Sequence, residues 1–180
     1  MKNILIIGGT KGIGKSIVDN LVNDNNITCL SRNKLDFQHQ NFVHKEFDAL
    51  TDEYPEMDSL DCLIYCPGSI NLKPISTLTL EDFRNDFEIN VIGAVKAIKK
   101  YLPLLKKSLS ASILLFSTVA TKLGMPYHAS VSVAKSGVDG LVKTLGSELA
   151  PKVRINAIAP TITNTDLASK ILRNEKVIEN

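Results

Sequence analysis

Short apolar runs alternate along the chain with stretches whose apolar residues recur at helical spacing. Ile4-Leu5-Ile6-Ile7 is a continuous, β-branched-rich run closed by Gly8-Gly9, the pattern of a strand buried on both faces. Ile13, Ile17, Val18 and Leu21 then repeat with the period of a helix, which is expected over residues 13–22. Further strands are expected over residues 27–30, 42–47, 62–66, 113–116 and 153–158. His44, Lys45 and Glu46 interrupt the third run, Pro67-Gly68 stops the fourth and Pro160 ends the sixth. Helical stretches are expected over residues 80–105, 129–150 and 165–177, with Pro103 kinking or terminating the first of these.

Repeated β-α-β alternation implies an α/β fold: a parallel sheet with helices on both faces. Two connections are short. Residues 31–41 and 49–60 are barely the dozen residues that a parallel crossover needs, so trimmed or missing helices are expected there. At 180 residues one domain is expected, spanning residues 1–180. With 44% hydrophobic and 22% charged residues the composition is that of a globular chain, and disordered, collagen-like and coiled-coil classes are set aside. A net charge of +2 without a long basic run gives no electrostatic grip on nucleic acid. Cys29, Cys62 and Cys66 are an odd set without a disulfide framework, which fits a reducing cytoplasm. No apolar stretch reaches the roughly 20 residues of a membrane span, and the N-terminal run meets glycine too early for a secretory leader.

The chemistry begins where the first strand meets Gly8-Gly9-Thr10-Lys11-Gly12-Ile13-Gly14-Lys15-Ser16. A strand, a glycine turn and a helix N-terminus make an anion site, because first-turn N–H groups lack partners and the helix dipole favours negative charge. Two motifs fit. Gly9, Gly14, Lys15 and Ser16 satisfy the GxxxxGK[ST] loop of nucleotide hydrolases. That chemistry also wants an acid ending a neighbouring strand to help hold magnesium, and Asp48 is the only weak candidate, so this reading fails its own test. Gly8, Gly12 and Gly14 instead form a widely spaced dinucleotide fingerprint. The plainer alternative is a tight turn whose glycines only permit close packing.

Downstream residues favour the fingerprint. The glycines, Asn90, a strand ending Phe116-Ser117-Thr118, Lys135 opening Lys-Ser-Gly, and Asn156-Ala157-Ile158-Ala159-Pro160 occur in that order. Together they resemble the short-chain dehydrogenase/reductase family over residues 1–175. The resemblance implies a single Rossmann-type, doubly wound parallel sheet with the cofactor across the carboxyl ends of the strands. It implies that Gly8, Gly12 and Gly14, with Thr10, Lys11 and Ile13 between them, approach a pyrophosphate. Asp48 matches the acid that touches adenine, and Gly68 matches the last glycine of an Asn-Asn-Ala-Gly segment that reads Tyr65-Cys66-Pro67-Gly68 here. Residues 160–165, from Pro160 to Thr165, resemble the loop along the nicotinamide, with Thr161 where glycine is usual. An acid ending the second strand would bind a ribose 2′-hydroxyl and repel a 2′-phosphate. Ser31-Arg32 stands there instead, with Lys11 on the same side, so NADP(H) is favoured over NAD(H).

The reaction implied is hydride transfer between nicotinamide and a small carbonyl or alcohol. The family uses a Tyr as proton donor, a Lys four residues later, a Ser about thirteen residues before the Tyr, and an upstream Asn. Lys135 and Asn90 match, and Thr118 aligns with the Ser. The Tyr position is Val131, which cannot carry a proton. Tyr127 and His128, just upstream, are the candidate replacement donors, against loop packing with Ser130 as helix N-cap. A silent dinucleotide-binding sensor or scaffold is the rival reading. No metal site is expected, since Cys62 and Cys66 alternate along a buried strand with no His beside them. His39 and His44 are expected at the surface. Residues 165–180 would start a substrate lid, and either the sequence is truncated there or a last strand is absent. The two long helices are expected to pair copies into a homodimer or homotetramer.

Overall fold

A computed structural model describes residues 1–169. Six parallel strands form one sheet in the order β3-β2-β1-β4-β5-β6. They are β1 (Asn3–Ile7), β2 (Asn26–Ser31), β3 (Phe42–Glu46), β4 (Cys62–Tyr65), β5 (Ala111–Phe116) and β6 (Val153–Ile158). The helices are α1 (Gly12–Leu21), α2 (Leu80–Phe87), α3 (Gly93–Leu105), α4 (Ala120–Leu123) and α5 (Ala129–Leu149). Strand order reverses beside β1: β2 lies on one side of it and β4 on the other. A crevice must open at the carboxyl ends there, since the following chains leave toward opposite faces.

The apolar runs are explained by burial on both faces. On β1, Ile4 and Ile6 pack with Val18 and Val22 on the α1 side. Leu5 and Ile7 belong to the larger core on the other side, with Ala94, Ile98 and Val138. Among the described residues no helix lies between β2 and β3 or between β3 and β4, as the short connections implied. Aromatic packing replaces one of them: Phe47 meets Tyr54 at a tilt and Tyr54 meets Tyr101 edge-on, at 4.7 and 5.9 Å between ring centroids.

Three expectations need correction. The helix expected over residues 80–105 is broken into α2 and α3 by a π-helical turn, Glu88–Ile92. An i→i+5 turn leaves carbonyls without their usual partners and is often functional. Here Asn90 Nδ2 reaches back to Asp86 O at 2.7 Å, and Tyr65 OH donates to Ile89 O at 2.7 Å. The tyrosine fits because Gly93 has no side chain: a Cβ there would lie 2.0 Å from the phenol oxygen. Pro103 sits inside the last turns of α3, which ends two residues later, so it terminates rather than kinks. Ser130 does not cap α5; His128 occupies that position without a side-chain cap bond, and Ser130 is fully buried. His44 is half-buried, and its Nε2 lies 2.9 Å from Ser31 Oγ. Among the described residues β6 is a sheet edge, and residues 165–168 form turns. The rest of the helix expected over 165–177, and most of the lid segment, lies outside the described residues.

Candidate active site and cofactor cleft

The β1–α1 turn is built by glycines for specific reasons. Gly8 and Gly12 have φ of +78° and +52°, the left-handed region that glycine enters freely. A Cβ on Gly14 would lie 2.2 Å from Gly8 O, so only glycine lets α1 start against its own strand. Gly8 N donates to Leu30 O at 2.8 Å, which ties the turn to β2. Lys11, at the N-cap, makes no side-chain cap bond and the first turn carries no acid, so the helix start is free to receive an anion. Lys15 does not face this site. It pairs with Asp19 at 2.5 Å and lies over the Phe37 ring, and neither Lys15 nor Ser16 lines the cleft, as a nucleotide-hydrolase loop requires.

The turn opens into a cleft of about 1590 Å³ that runs across the carboxyl ends of the strands. Small-molecule pockets usually measure roughly 300–1,000 Å³, so there is space for an extended ligand and a second molecule. Gly8, Thr10, Lys11, Gly12, Ile13 and Gly14 line one part; Ser31, Arg32 and Asp48 line another. Gly68, Thr118, Val131, Lys135 and Pro160 line the cleft as well, and Thr165 lines it beside the glycine turn, where a Cβ on Gly12 would lie 3.2 Å from Thr165 Cγ2. The cation of Arg32 is largely exposed and sits 4.0 Å from Asp48 Oδ2. Asp48 Oδ1 meanwhile accepts from Leu50 N at 2.9 Å, which shapes the turn after β3.

Lys135 projects from α5, and its Nζ donates to Phe116 O at 2.7 Å. Burial lowers its pKa from 10.5 to about 8, opposed by the nearby Asp139 and Asp86 carboxylates and, only where its thiol ionises, by Cys66. The Cys66 thiol, itself buried, is pushed up to about 12 and stays neutral near pH 7. Asn90 is buried and does not line the cleft, but it backs the wall: a Cβ on Gly68 would lie 3.1 Å from Asn90 Oδ1 and 3.3 Å from Lys135 Nζ. Two residues join this cluster that sequence reasoning missed. Ser69 Oγ donates to Asp86 Oδ1 at 2.5 Å and accepts from Asn90 Nδ2 at 3.0 Å. The available signal was the i, i+4 spacing of Asp86 and Asn90, which puts both on one helix face.

Residues 10–180 match the family described as enoyl-(acyl carrier protein) reductase. The chain is 28% identical to the protein ElxO in a structure with NADP bound, over 97% of this chain and 80% of that one, with a TM-score of 0.85. A short-chain type dehydrogenase/reductase from Mycobacterium ulcerans shares the fold at 22% identity, covering 99% of this chain and 74% of that one, with a TM-score of 0.85. The chain belongs to the short-chain dehydrogenase/reductase family. It is also 26% identical to the 3-oxoacyl-[acyl-carrier-protein] reductase FabG of Buchnera aphidicola subsp. Baizongia pistaciae (strain Bp), over 97% of this chain and 78% of that protein. A tyrosine-to-phenylalanine variant of ElxO has NADPH bound, with 27% identity, coverage of 97% and 80%, and a TM-score of 0.83.

Against the short-chain dehydrogenase/reductase pattern, the departure at Val131 is physical as well as formal. Val131 is buried in the cleft wall one helical turn before Lys135. Tyr127 does not fill the gap. Its backbone is in the left-handed region (φ +65°), and the side chain is 60% exposed in a separate shallow depression with Lys73, Ile75 and Ser132. His128 borders both that depression and the cleft, and its Nδ1 lies 2.6 Å from Pro126 O. Ser117 Oγ and Ser130 Oγ are buried without partners among the described residues. These residues include no group of three or more His, Cys, Asp or Glu placed to hold a metal, and no helix long and apolar enough to cross a membrane.

Proposed function

We propose that the chain is an NADP(H)-dependent oxidoreductase interconverting a small carbonyl compound and its alcohol. One observation carries this reading: a single cleft joins a glycine-built helix start, free to take an anion, to Lys135 beside Thr118. The residues fit the cofactor. Gly8 to Gly14, with Thr10, Lys11, Gly12 and Ile13 between, would hold the diphosphate with backbone N–H groups. Ser31, Arg32 and Lys11 would take a 2′-phosphate, since β2 ends without an acid. Asp48 would border the adenine, Gly68, Lys135 and Pro160 the nicotinamide half, and Thr165, packed against Gly12, the diphosphate between them. When bound, the nicotinamide supplies or removes the hydride. Thr118 Oγ1 would orient the carbonyl, and Asn90 would back Lys135 from behind Gly68.

Val131 excludes the family's phenol, so the proton comes from elsewhere. His128 and Lys135 are the titratable side chains at the start of α5 that line the cleft; Tyr127 lines the neighbouring depression instead. Val131 also favours a second reading, a dinucleotide-binding sensor or scaffold without turnover. The bound NADPH of the ElxO tyrosine variant shows for that protein that the cofactor binds when a tyrosine hydroxyl is removed. The three free thiols fit a reducing cytoplasm. Exposed Phe87 and Val133 support a homodimer or homotetramer through α2–α3 and α5, to be checked by light scattering. Titration with NADPH, NADH and ATP, followed by NADPH consumption across a carbonyl panel, tests the function. NADPH binding with turnover supports the enzyme, and binding without turnover on any carbonyl supports the sensor. Binding of ATP alone refutes both.

A further inference from the structure

Two buried acceptor oxygens, Asp86 Oδ2 and Asn90 Oδ1, have no hydrogen-bond partner among the described residues. A buried carboxylate oxygen left unpaired costs several times what an exposed one does, so the pair calls for a donor or a cation nearby. They lie one turn apart on the same helix face and are joined by Ser69: Asn90 Nδ2 donates to Ser69 Oγ, which donates to Asp86 Oδ1. Asn90 Oδ1 borders Gly68, whose missing side chain leaves a notch between that oxygen and the Lys135 ammonium. On the cleft side of that ammonium stands Val131, one turn earlier on the same face of α5, with no polar atom. Lys135 uses one N–H on Phe116 O and has two more to give.

We propose that Lys135 is itself the proton donor of this site, and that Asp86, acting through Ser69 and Asn90 as a positioning residue, keeps it charged. This rests on the oxidoreductase reading. In the reducing direction the substrate's carbonyl carbon accepts a hydride, with two electrons, from the nicotinamide ring. The π pair of the C=O bond moves to oxygen, which takes a proton from the Lys135 ammonium. One N–H bond breaks and one O–H bond forms; NADPH is oxidised to NADP and the carbonyl is reduced to an alcohol. The neutral amine then regains a proton from solvent in the cleft. Three groups face the amine: Cys66 at the end of β4, Asp139 on α5, and Asp86 on α2. Cys66 is neutral near pH 7; Asp139 accepts from Thr121 Oγ1 at 3.0 Å and Asp86 from Ser69 Oγ at 2.5 Å, and what sets Asp86 apart is that its Oδ2 is buried without a partner among the described residues. Burial brings the ammonium close to the working range of a general acid near neutral pH.

The test reads the amine directly, with no cofactor present. Competitive labelling of Lys135 against pH, followed by peptide mass spectrometry, gives its proton affinity in wild type, Asp86→Asn and Ser69→Ala, each checked for folding by circular dichroism. Asp86→Asn is expected to lower that affinity about three- to tenfold. Ser69→Ala leaves the charge in place and is expected to lower it less. Single-turnover reduction with saturating NADPH should fall about 10²–10⁴-fold in Lys135→Arg, which keeps the charge but cannot release a proton. The alkaline limb of the wild-type rate should move to lower pH in Asp86→Asn. An amine that titrates at its ordinary value, a titration unmoved in Asp86→Asn, or full single-turnover rate in Lys135→Arg overturns the proposal. So does loss of the pH-dependent limb in His128→Gln instead. Failure of wild type to bind NADPH would sink the oxidoreductase reading alone, because the labelling still decides whether Asp86 sets the charge on Lys135.

Discussion

Replacing Lys135 by Met should change how stability varies with pH, by an amount fixed by the burial of the amine. The amine is removed from water by β4, β5 and α5 and meets one carbonyl, Phe116 O. Its pKa falls from 10.5 to about 8 for that reason. Below pH 8 the amine is charged in both folded and unfolded chains, and the folded chain carries the full burial penalty. As pH rises from about 8 to 10.5 the folded amine gives up its proton before the unfolded one does, so the penalty is relieved. The gap corresponds to about 3 kcal/mol at 1.36 kcal/mol per pH unit. Lys135→Met has no such group. Its lost bond to Phe116 O, about 1–3 kcal/mol, lowers the whole curve, and the part of that bond that depends on the charge is already contained in the folded pKa of about 8. Urea denaturation of both proteins at intervals from pH 7 to 10.5 therefore isolates the charge. Wild type should gain stability on the variant by up to about 3 kcal/mol across that window. Parallel curves would refute the claim that Lys135 is buried and destabilised as an ammonium.

Three more outcomes follow from the geometry. Gly14→Ala places a Cβ 2.2 Å from Gly8 O, so the β1–α1 turn must open; NADPH affinity should be lost in a fluorescence titration, and retained affinity would show that the turn is not the anion site. Val131→Tyr puts a phenol four residues before Lys135 on the cleft wall; carbonyl reduction followed by NADPH absorbance should rise, by up to about 10²-fold, and a fall would count against a family-like substrate position. Tyr65→Phe strands Ile89 O in the π turn and should cost about 1–2 kcal/mol in urea melts, whereas an unchanged midpoint would mean the phenol does not hold that turn.

The sheet was legible because parallel strands buried on both faces write continuous apolar runs, and residues 4–7, 62–66 and 113–116 do so plainly. The glycine turn was legible because glycine needs are local: Gly8, Gly12 and Gly14 answer to backbone angles and close approach within one turn. The π turn was not legible. Nothing in the spacing of Glu88-Ile89-Asn90-Val91-Ile92 departs from a helix; what stabilises the break is Tyr65, 24 residues earlier, reaching Ile89 O. Tyr127 and His128 are adjacent in sequence, yet only His128 lines the cleft, while Tyr127, at φ +65°, lines the shallow depression beside it. The i, i+4 spacing of Asp86 and Asn90 was a local signal, but Ser69's bond to Asp86 depends on how the loop after β4 meets α2, which no local pattern encodes.

The central claim is that this cleft takes a phosphorylated dinucleotide with its extra phosphate against Ser31, Arg32 and Lys11. Calorimetric titration of wild type and Arg32→Ala with NADPH and with NADH tests it most directly. Wild type should bind NADPH at least about tenfold more tightly than NADH, and Arg32→Ala should erase most of that difference while leaving NADH affinity nearly unchanged. Equal affinities in wild type would contradict the 2′-phosphate assignment, and no binding of either dinucleotide would contradict the cleft's role altogether.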